Sequence, residues 1–273
     1  MNTICFVVTH AMTVRLKLIG QLEAIHEAGF RPVIITSNGP DLLGVEGRFD
    51  VVDVGFLREI SVFRDLRAFF RTLNALRRER PCIVNASTPK ASLIGMVSAF
   101  IARVPVRIYT LRGIRYETLT GFKRFVVVVC ERITALCAHR IIAVSRSVRD
   151  EYVRAGICSA KKIVVLGNGS SNGIEVRRFP TDAARTALGC NVRDALGFSH
   201  DAPVIGFVGR GTRDKGICEL LDAFFFVRDV VPNVRLLIVG GFEAGDPLPR
   251  EYMARIESNR AIRVVDFVQD TTP

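Results

Sequence analysis

The chain of 273 residues is long enough for one large domain, or for one domain and part of a second. Hydrophobic residues make up 49% of it and charged residues 24%, which excludes an intrinsically disordered protein. The formal net charge of +11 favours anionic partners such as phosphates, nucleic acid or an anionic membrane surface, without choosing among them.

Seven scattered cysteines, without a C-x-x-C pair, predict neither a zinc site nor a disulfide framework. They are typical of reduced thiols in a cytosolic protein. No apolar run reaches the length of a membrane span, and the apolar run Thr3–Val8 lacks the preceding basic flank of a signal peptide. We therefore expect a cytoplasmic protein.

Apolar runs and amphipathic stretches alternate through the first 170 residues. Strands are predicted at Ile4–Thr9, Pro32–Thr36, Phe49–Val54, Cys82–Val84, Val106–Thr110, Arg140–Val144 and Ile163–Leu166. Helices are predicted at Val14–Ala28, Ser61–Glu79, Pro89–Ala102, Phe122–Ala138 and Ser145–Ala155. Thr88 and Ser145 are suitable caps for the helices that they precede or open. Continuous apolar strands separated by helices predict a parallel sheet with both faces covered.

The chain changes character between residues 167 and 202, where the turn-rich Gly167–Gly173 is followed by a short helix at Asp182–Gly189. A new cycle then has strands at Val204–Val208, Val234–Val239 and Ile262–Phe267, and helices at Asp214–Val231 and Arg250–Arg260. The pattern predicts an α/β fold with two doubly wound, Rossmann-like domains. Residues 1–170 are the first domain, residues 171–202 the connection, and residues 203–273 an incomplete second domain.

The loop Gly209–Gly216 (GRGTRDKG) follows a predicted strand and opens a helix. Helix N-termini at the carboxyl end of a sheet favour anions, and Arg210 and Lys215 add positive charge suited to a diphosphate. The loop is not a P-loop, because Ile217 follows it where lysine belongs. Nor is it a G-x-G-x-x-G fingerprint, because Asp214 stands in place of the third glycine. A surface loop with ordinary solvated charges is an equally weighted alternative.

Three further residues follow predicted strands, where the crevice of an α/β sheet is expected. They are His10 after the first strand, Lys90 in the segment Asn85–Ala91, and Arg112 in the segment Tyr109–Gly113. We take all three as candidates for a donor or acceptor cleft. A structural histidine is the better-supported alternative for His10, and a solvated arginine is an equal one for Arg112. The other residues around Lys90 suit a plain helix start.

The helices Phe63–Arg80 and Phe122–Arg140 interleave phenylalanine with arginine and lysine. This mixture is typical of a surface that binds anionic lipid without spanning the membrane. For each helix taken alone, an amphipathic helix packed on its own sheet is the somewhat stronger alternative. The sequence predicts peripheral association with the inner face of a cytoplasmic membrane through one or both helices.

Three stretches carry a resemblance that runs along the whole chain. They are Ala138–Val148 (AHRIIAVSRSV), Leu166–Gly173 (LGNGSSNG) and Ile205–Phe224 (IGFVGRGTRDKGICELLDAF). The chain resembles glycosyltransferase family 4, whose members are retaining enzymes with the GT-B fold. The segments Thr88–Lys90, Tyr109–Gly113 and Gly241–Pro247 resemble the branch that builds lipid-linked bacterial surface glycans.

The resemblance implies roles for individual residues. The family residues that match Arg210 and Lys215 hold the donor diphosphate. Those that match Arg112 and Arg140 face the sugar or the acceptor side of the cleft, and Asn168 matches a residue at the domain junction.

The chain departs from the family pattern at two places. The segment Thr9–Thr13 lacks the paired glycines that many members use near the donor phosphate. The E-x7-E segment that binds the donor's sugar and ribose is absent, since the sequence ends at Pro273. We therefore expect the first domain to fold but the 273-residue chain itself to be inactive or nearly so.

The implied reaction moves a sugar from a nucleotide diphosphate sugar, with UDP as the expected nucleotide, to a lipid-linked or saccharide acceptor with retention. Such an enzyme orients its substrates and stabilises the departing diphosphate, so we expect no cofactor, no metal and no nucleic-acid partner. Three alternatives stay open: a nucleotide-sugar 2-epimerase of the same fold, a dinucleotide-dependent oxidoreductase, and a non-catalytic remnant that binds membrane or a partner.

Overall fold

A computed structural model describes residues 2–45, 47–57, 61–170, 182–242 and 246–268, with the backbone alone at residues 182–188. The chain divides into two compact units, residues 1–173 and 174–273, each built around a parallel sheet flanked by helices. The predicted α/β fold with two Rossmann-like sheets is confirmed. Of the predicted connection 171–202, residues 171–181 lie outside the described residues.

The first unit contains a seven-stranded sheet in the order β3-β2-β1-β4-β5-β6-β7, in which every pairing is parallel. The strands are β1 (Thr3–Val7), β2 (Arg31–Thr36), β3 (Asp50–Asp53), β4 (Ile83–Ser87), β5 (Val106–Leu111), β6 (Arg140–Ala143) and β7 (Ile163–Val165). All five residues of β1 are buried, as expected for a strand with both faces covered. The strand order reverses between β1 and β4, which is where open α/β sheets form a crevice.

Helices cover both faces of this sheet. They are α1 (Ala11–Lys17), α2 (Ile19–Glu27), α3 (Val62–Glu79), α4 (Pro89–Ile101), α5 (Gly121–Cys137) and α6 (Arg146–Arg154). On one face Phe6 and Ile34 pack with Leu22 of α2. On the other face Val7 and Val84 share a larger core with residues of α3 to α6.

The predicted helix Val14–Ala28 is in fact two helices, α1 and α2, separated at Leu18. The backbone of Leu18 leaves the helical region, with φ −120° and ψ −21°, while its side chain is buried. The break lets α1 and α2 present apolar residues to the same core at different angles. Periodicity alone does not register such a break, because the apolar spacing continues through it.

The second unit contains a three-stranded parallel sheet in the order β10-β9-β8. Its elements are α7 (Asp182–Leu196), β8 (Val204–Val208), α8 (Ile217–Val230), β9 (Arg235–Val239), α9 (Arg250–Ser258) and β10 (Ile262–Val265). Leu221 and Phe224 of α8 pack against Ile238 of β9. Helix α7 extends beyond the predicted end at Gly189 and stops before Gly197, whose positive φ of 68° ends a helix readily.

Parallel pairing gives the seven-stranded sheet two distinct edges. We call the edge at which its strands end the carboxyl edge, and the edge at which they begin the amino edge. Because α3, α4 and α5 each lead from the end of one strand to the start of the next, their first turns lie at the carboxyl edge and their last turns at the amino edge.

Candidate functional site

His10 lies at the carboxyl edge, where it precedes α1. The loop around it is held by Thr9, whose backbone N–H donates to the Thr88 hydroxyl at 3.2 Å and whose own hydroxyl lies 2.7 Å from it. Thr88 therefore does not cap α4 as predicted: its hydroxyl bonds the loop after β1, and its φ of 75° is left-handed. This contact joins the ends of β1 and β4 at the expected crevice.

Lys90 lies in the first turn of α4 at the same edge. Its ammonium forms an ion pair of 2.8 Å with Asp65 in the first turn of α3, and both side chains are largely shielded from solvent. The second oxygen of Asp65 accepts a hydrogen bond from the backbone N–H of Ser61 at 3.1 Å. Lys90 therefore ties the start of α4 to the start of α3.

Arg112 directly follows β5. Its Nε and one of its terminal nitrogens are buried without a hydrogen-bond partner among the described residues. Burial lowers the pKa of this guanidinium, although arginine stays charged at neutral pH. A buried donor without an acceptor costs free energy, so Arg112 is well suited to an anionic ligand.

Asn168 is exposed in the loop after β7, also at the carboxyl edge. The next residue, Gly169, has φ 99°, and a Cβ at this position would lie 2.5 Å from the carbonyl oxygen of Val144. Only glycine fits this approach, which places the loop against the end of β6 and is completed by a 2.6 Å hydrogen bond from Ser170 N–H to the same oxygen. Residues 171–173 of the predicted turn lie outside the described residues.

The structure does not bring Arg140 to this group. Arg140 is the first residue of β6 and lies at the amino edge, where it donates to the carbonyl of Lys161 at 2.7 Å. His10, Lys90, Arg112 and Asn168 follow β1, β4, β5 and β7 and share the opposite edge.

In the second unit, Arg210 and Lys215 lie on the loop between β8 and α8, in which Arg213–Lys215 forms a 3₁₀ turn. Both side chains are about half exposed and share one carboxylate oxygen of Asp214, at 3.5 Å from Arg210 and 3.8 Å from Lys215. A hydrogen bond from the Thr212 hydroxyl, followed by the two neighbouring cations, lowers the pKa of Asp214. The sequence-predicted pair is therefore brought to one place, with an acid between them.

The loop between β8 and α8 is supported by the loop that follows β9. Gly240 has φ 122°, and a Cβ there would lie 2.1 Å from the carbonyl oxygen of Gly209. The carboxylate of Asp246 accepts a hydrogen bond from the backbone N–H of Asp214 at 3.2 Å. Residues Glu243–Gly245 of the resembling segment lie outside the described residues.

Sequence reasoning missed the two acids that partner the basic candidates. Asp65 is separated from Lys90 by 25 positions, so no local pattern connects them. The role of Asp214 could have been predicted from local spacing, since it stands four residues after Arg210 and next to Lys215. Among the described residues, no group of three or more histidine, cysteine, aspartate or glutamate side chains is placed to hold a metal ion.

Exposed apolar residues lie on the N-terminal halves of α3 and α5, which both pack against α4. We call this set the aromatic patch: Val62, Phe63, Leu66, Phe70, Phe122 and Phe125. Phe63 is 87% exposed and Phe122 is 79% exposed. Arg64, Arg67 and Lys123 lie among them and are also exposed. Within the described part of the chain, no helix is long and apolar enough to cross a membrane.

Glu131 of α5 is a buried carboxylate away from the carboxyl edge. One of its oxygens accepts hydrogen bonds from the hydroxyls of Tyr109 at 3.0 Å and Tyr152 at 2.5 Å. Burial raises the pKa of Glu131, while the two tyrosine donors lower it in part. This cluster joins β5, α5 and α6 and has a structural role.

Comparison with known proteins identifies the family. The family model described as a glycosyl transferase 4-like domain matches residues 19–169, more than half of the chain. The chain belongs to this family. The predicted family assignment is thereby confirmed.

Two known glycosyltransferases are similar in sequence to this glycosyl transferase 4-like chain. It is 36% identical over 251 residues to the capsular polysaccharide biosynthesis glycosyltransferase CapM of Staphylococcus aureus, covering 92% of this chain and 64% of that protein. It is 22% identical over 216 residues to the UDP-Gal:alpha-D-GlcNAc-diphosphoundecaprenol alpha-1,3-galactosyltransferase of Escherichia coli, covering 78% and 54%. The chain thus spans between half and two thirds of the length of these relatives.

Solved structures share the fold. Anabaena Alr3699/HepE, crystallised with UDP and glucose, aligns over 100% of this chain and 71% of its own, with a TM-score of 0.75 and 19% identity. The UDP-GlcNAc 2-epimerase of Methanocaldococcus jannaschii aligns over 100% and 75%, with a TM-score of 0.60 and 15% identity. Identities this low show the fold alone, and an epimerase shares it with this glycosyl transferase 4-like chain.

Proposed function

We propose that this protein is a glycosyltransferase that moves a sugar from a UDP-sugar to a lipid-linked acceptor, with retention, in the synthesis of a surface polysaccharide. The observation that carries the proposal is the pair Arg210 and Lys215, presented together on the loop between a parallel strand and a helix. Family membership supports sugar transfer. The name of the Escherichia coli relative, with its UDP-linked donor and diphosphoundecaprenol acceptor, supports the two substrate classes.

The proposed role of Arg210 and Lys215 is to hold the donor diphosphate as it departs. Both cations are exposed, and their common partner Asp214 lies at 3.5 and 3.8 Å, longer than a strong charged hydrogen bond. A diphosphate offers both cations shorter contacts than Asp214 does. Its negative charge grows as the bond to the sugar breaks, so the same contacts stabilise the transition state. No metal and no cofactor are needed for this role.

Alanine substitution tests the donor site. Arg210→Ala and Lys215→Ala are each expected to weaken UDP binding at least tenfold, because a hydrogen bond to a charged group contributes about 1.5–3 kcal/mol. Isothermal titration calorimetry with UDP measures the effect. Arg213→Ala removes an exposed arginine from the same turn and is the matched control, with unchanged affinity expected. Wild-type affinity for UDP in both variants would contradict the proposed role of Arg210 and Lys215.

For the acceptor side we propose that Arg112 binds the acceptor's diphosphate. Its buried nitrogens lack an acceptor among the described residues, and an anion at the carboxyl edge would supply one. Arg112→Lys keeps the charge but loses the planar guanidinium, so the KM for the lipid-linked acceptor should rise about tenfold or more while the KM for the UDP-sugar stays unchanged. An unchanged acceptor KM would contradict this role.

The transfer assay itself uses a version of the chain completed with the parts of CapM that it does not match, because the chain covers 64% of that relative. Radiolabelled UDP-sugars are offered with an undecaprenyl-diphosphate-linked sugar, and the product is resolved by chromatography. Transfer of label to the lipid with the anomeric configuration of the donor supports the proposal. Formation of the 2-epimer of the donor without transfer would assign the protein to the epimerases instead, and binding of NAD would favour an oxidoreductase.

We further propose that the aromatic patch docks the protein on an anionic membrane, where a lipid-linked acceptor resides. The patch lies at the carboxyl edge, the same edge as Lys90 and Arg112. Insertion of exposed phenylalanines removes apolar surface from water, and each neighbouring lysine or arginine adds about 1 kcal/mol at an anionic surface. The proposed localisation is therefore cytoplasmic and peripheral.

Co-sedimentation with vesicles tests the membrane proposal. Phe122→Ser combined with Phe125→Ser is expected to reduce binding to vesicles containing anionic lipid about tenfold or more. Phe226→Ser is the control, since Phe226 is an exposed phenylalanine of the second unit. Binding by the wild type should weaken as salt is raised, because charges are screened beyond about 8 Å at physiological ionic strength. No binding at low salt would count decisively against the proposal.

A further inference from the structure

The amino edge of the seven-stranded sheet is strongly basic and lies opposite the proposed substrate edge. Three neighbouring depressions occur along it. We call the following lining residues the basic edge: Arg77, Arg80, Arg103, Arg140, Lys161 and Lys162. Among the described lining residues the one carboxylate is Glu79, and Arg31 and Arg78 already contact it at 3.1 and 2.9 Å.

Some cations at this edge have a structural role. Arg107 donates to the carbonyls of Cys137 at 2.6 Å and Val104 at 2.8 Å, and Lys162 donates to the carbonyl of Leu136 at 3.3 Å. The contacts to the carbonyls of Cys137 and Leu136 cap helix α5, where basic residues are favourable.

Other cations at this edge are unused. The exposed side chains of Arg77, Arg80, Arg103 and Lys161 make no hydrogen bond or ion pair with any residue that the structure describes. The charges of these side chains are available to a partner, while the backbone N–H groups of Arg80 and Arg103 close the ends of α3 and α4.

Two of these free arginines occupy backbone positions that disfavour them. Arg80 and Arg103 follow the ends of α3 and α4 with φ of 46° and 55°. Glycine adopts this left-handed region at no steric cost, whereas a residue with a Cβ is strained there. A helix-dipole effect explains basic residues within a last turn but gives no reason for arginine where glycine is preferred. Strain of this kind is often found at binding sites.

The basic edge also carries exposed apolar side chains. Phe100 is 55% exposed and Leu136 is 75% exposed. The first and second depressions share Arg103, and the second and third share Arg107, so the three form one groove across the starts of β4 to β7. Strands about 4.8 Å apart give this groove a length of roughly 15 Å, which five extended residues span.

We propose that the basic edge binds an extended, acidic segment of a partner protein that also carries apolar side chains. Charge complementarity selects the acidic residues, and Phe100 and Leu136 select the apolar ones. A membrane is not the expected occupant, because the aromatic patch faces the opposite way and one flat bilayer cannot reach both edges. This site is independent of the proposed sugar transfer.

The test uses a fluorescein-labelled ten-residue peptide of alternating glutamate and leucine. Its fluorescence anisotropy is measured as the full 273-residue chain is added. Saturable binding that weakens with salt is expected, with no binding of the matching lysine and leucine peptide. Arg80→Gly combined with Arg103→Gly should weaken binding at least tenfold, while Tm stays at or above that of the wild type because glycine relieves the strain. The unchanged or raised Tm separates loss of the site from loss of the fold.

A charge-matched control removes two cations from the first half of α3, the helix that Arg80 follows. Arg64→Gln combined with Arg67→Gln should leave peptide affinity unchanged, since both residues lie at the carboxyl edge. Wild-type affinity in the double glycine variant would overturn the proposal, as would equal losses in the two double variants. Tighter binding of inorganic polyphosphate than of the peptide would also overturn it, by showing that the apolar side chains contribute nothing.

Discussion

A central strand of the first sheet and an edge strand of the second are buried to different degrees. Every residue of β1 in the first unit is buried, whereas in β8 of the second unit no residue is fully buried and Val208 is 65% exposed. Helices cover both faces of the seven-stranded sheet, while the described apolar core of the three-stranded sheet lies on one side. The same strand-loop-helix pattern in sequence therefore yields a central strand covered on both faces in one unit and a partly exposed edge strand in the other.

The difference extends to the charged residues at the strand ends. Arg112 follows β5 with two buried nitrogens that lack a partner among the described residues, whereas Arg210 follows β8 exposed and beside Asp214. The cost of burial falls on Arg112 and not on Arg210. Equivalent places in two Rossmann-like units thus give a cation that needs a ligand and a cation that already has a weak one.

The sharpest test of this comparison is to truncate one phenylalanine in each of the two strands and compare the losses of stability. Phe6→Ala in β1 should cost about 3–5 kcal/mol, because the cavity lies between two covered faces, while Phe207→Ala in β8 should cost about half as much or less. Urea unfolding by circular dichroism measures both, and tyrosine fluorescence reports mainly on the first unit, which contains Tyr109, Tyr116 and Tyr152. Equal losses would show that the side chains of Phe6 and Phe207 are equally well buried.

A second, smaller effect is expected from the buried carboxylate of the first unit. Tyr152→Phe leaves Glu131 with one donor and should cost about 1–3 kcal/mol at neutral pH. The folded pKa of Glu131 lies above its ordinary 4.5, so its contribution to stability is full below that pH and is lost as pH rises through the folded pKa. Removing the Tyr152 donor raises the folded pKa further, so the loss should grow with pH. A loss that is constant from about pH 5 to pH 8 would contradict the assignment.

Arg112→Met tests the environment of the buried guanidinium. Removal of an unpaired buried donor should raise the stability of the first unit by about 1 kcal/mol, measured as the urea midpoint. Arg210→Met is the matched change in the second unit, and it should alter stability by less than about 0.5 kcal/mol because the side chain is exposed. A large loss in Arg112→Met would mean that the side chain already has a stabilising partner.

The smallest stability effect is expected for Asp214→Asn. Exposed ion pairs contribute about 0–1 kcal/mol, so unfolding should change little. UDP affinity should instead rise a few-fold, because the variant no longer offers Arg210 and Lys215 a competing charge. Calorimetry with UDP measures this change, and weaker binding by the variant would show that Asp214 orients the two cations.

Local pattern was enough for the strands, for most of the helices and for part of the site, but it missed the break at Leu18 and the full length of α7. The strands, the helix cap at Ser145 and the pairing of Arg210 with Lys215 on one loop were all predicted from runs and spacing. The separation of Arg140 from the other candidates could also be predicted from the sequence, since the first residue of a parallel strand lies at the amino edge. The ion pair of Lys90 with Asp65 was not, because no periodicity links positions 25 residues apart.

The sequence by itself determined the alternation of strands and helices, because apolar periodicity and turn residues act over a few neighbouring positions. Tertiary structure alone decided which side chains meet. It brought Tyr109 and Tyr152 to Glu131, joined Thr9 to Thr88, and placed Arg80 beside Arg103 at the ends of two helices. These contacts follow from the order in which seven strands pair, and strand order is set by burial of the whole core rather than by any local segment.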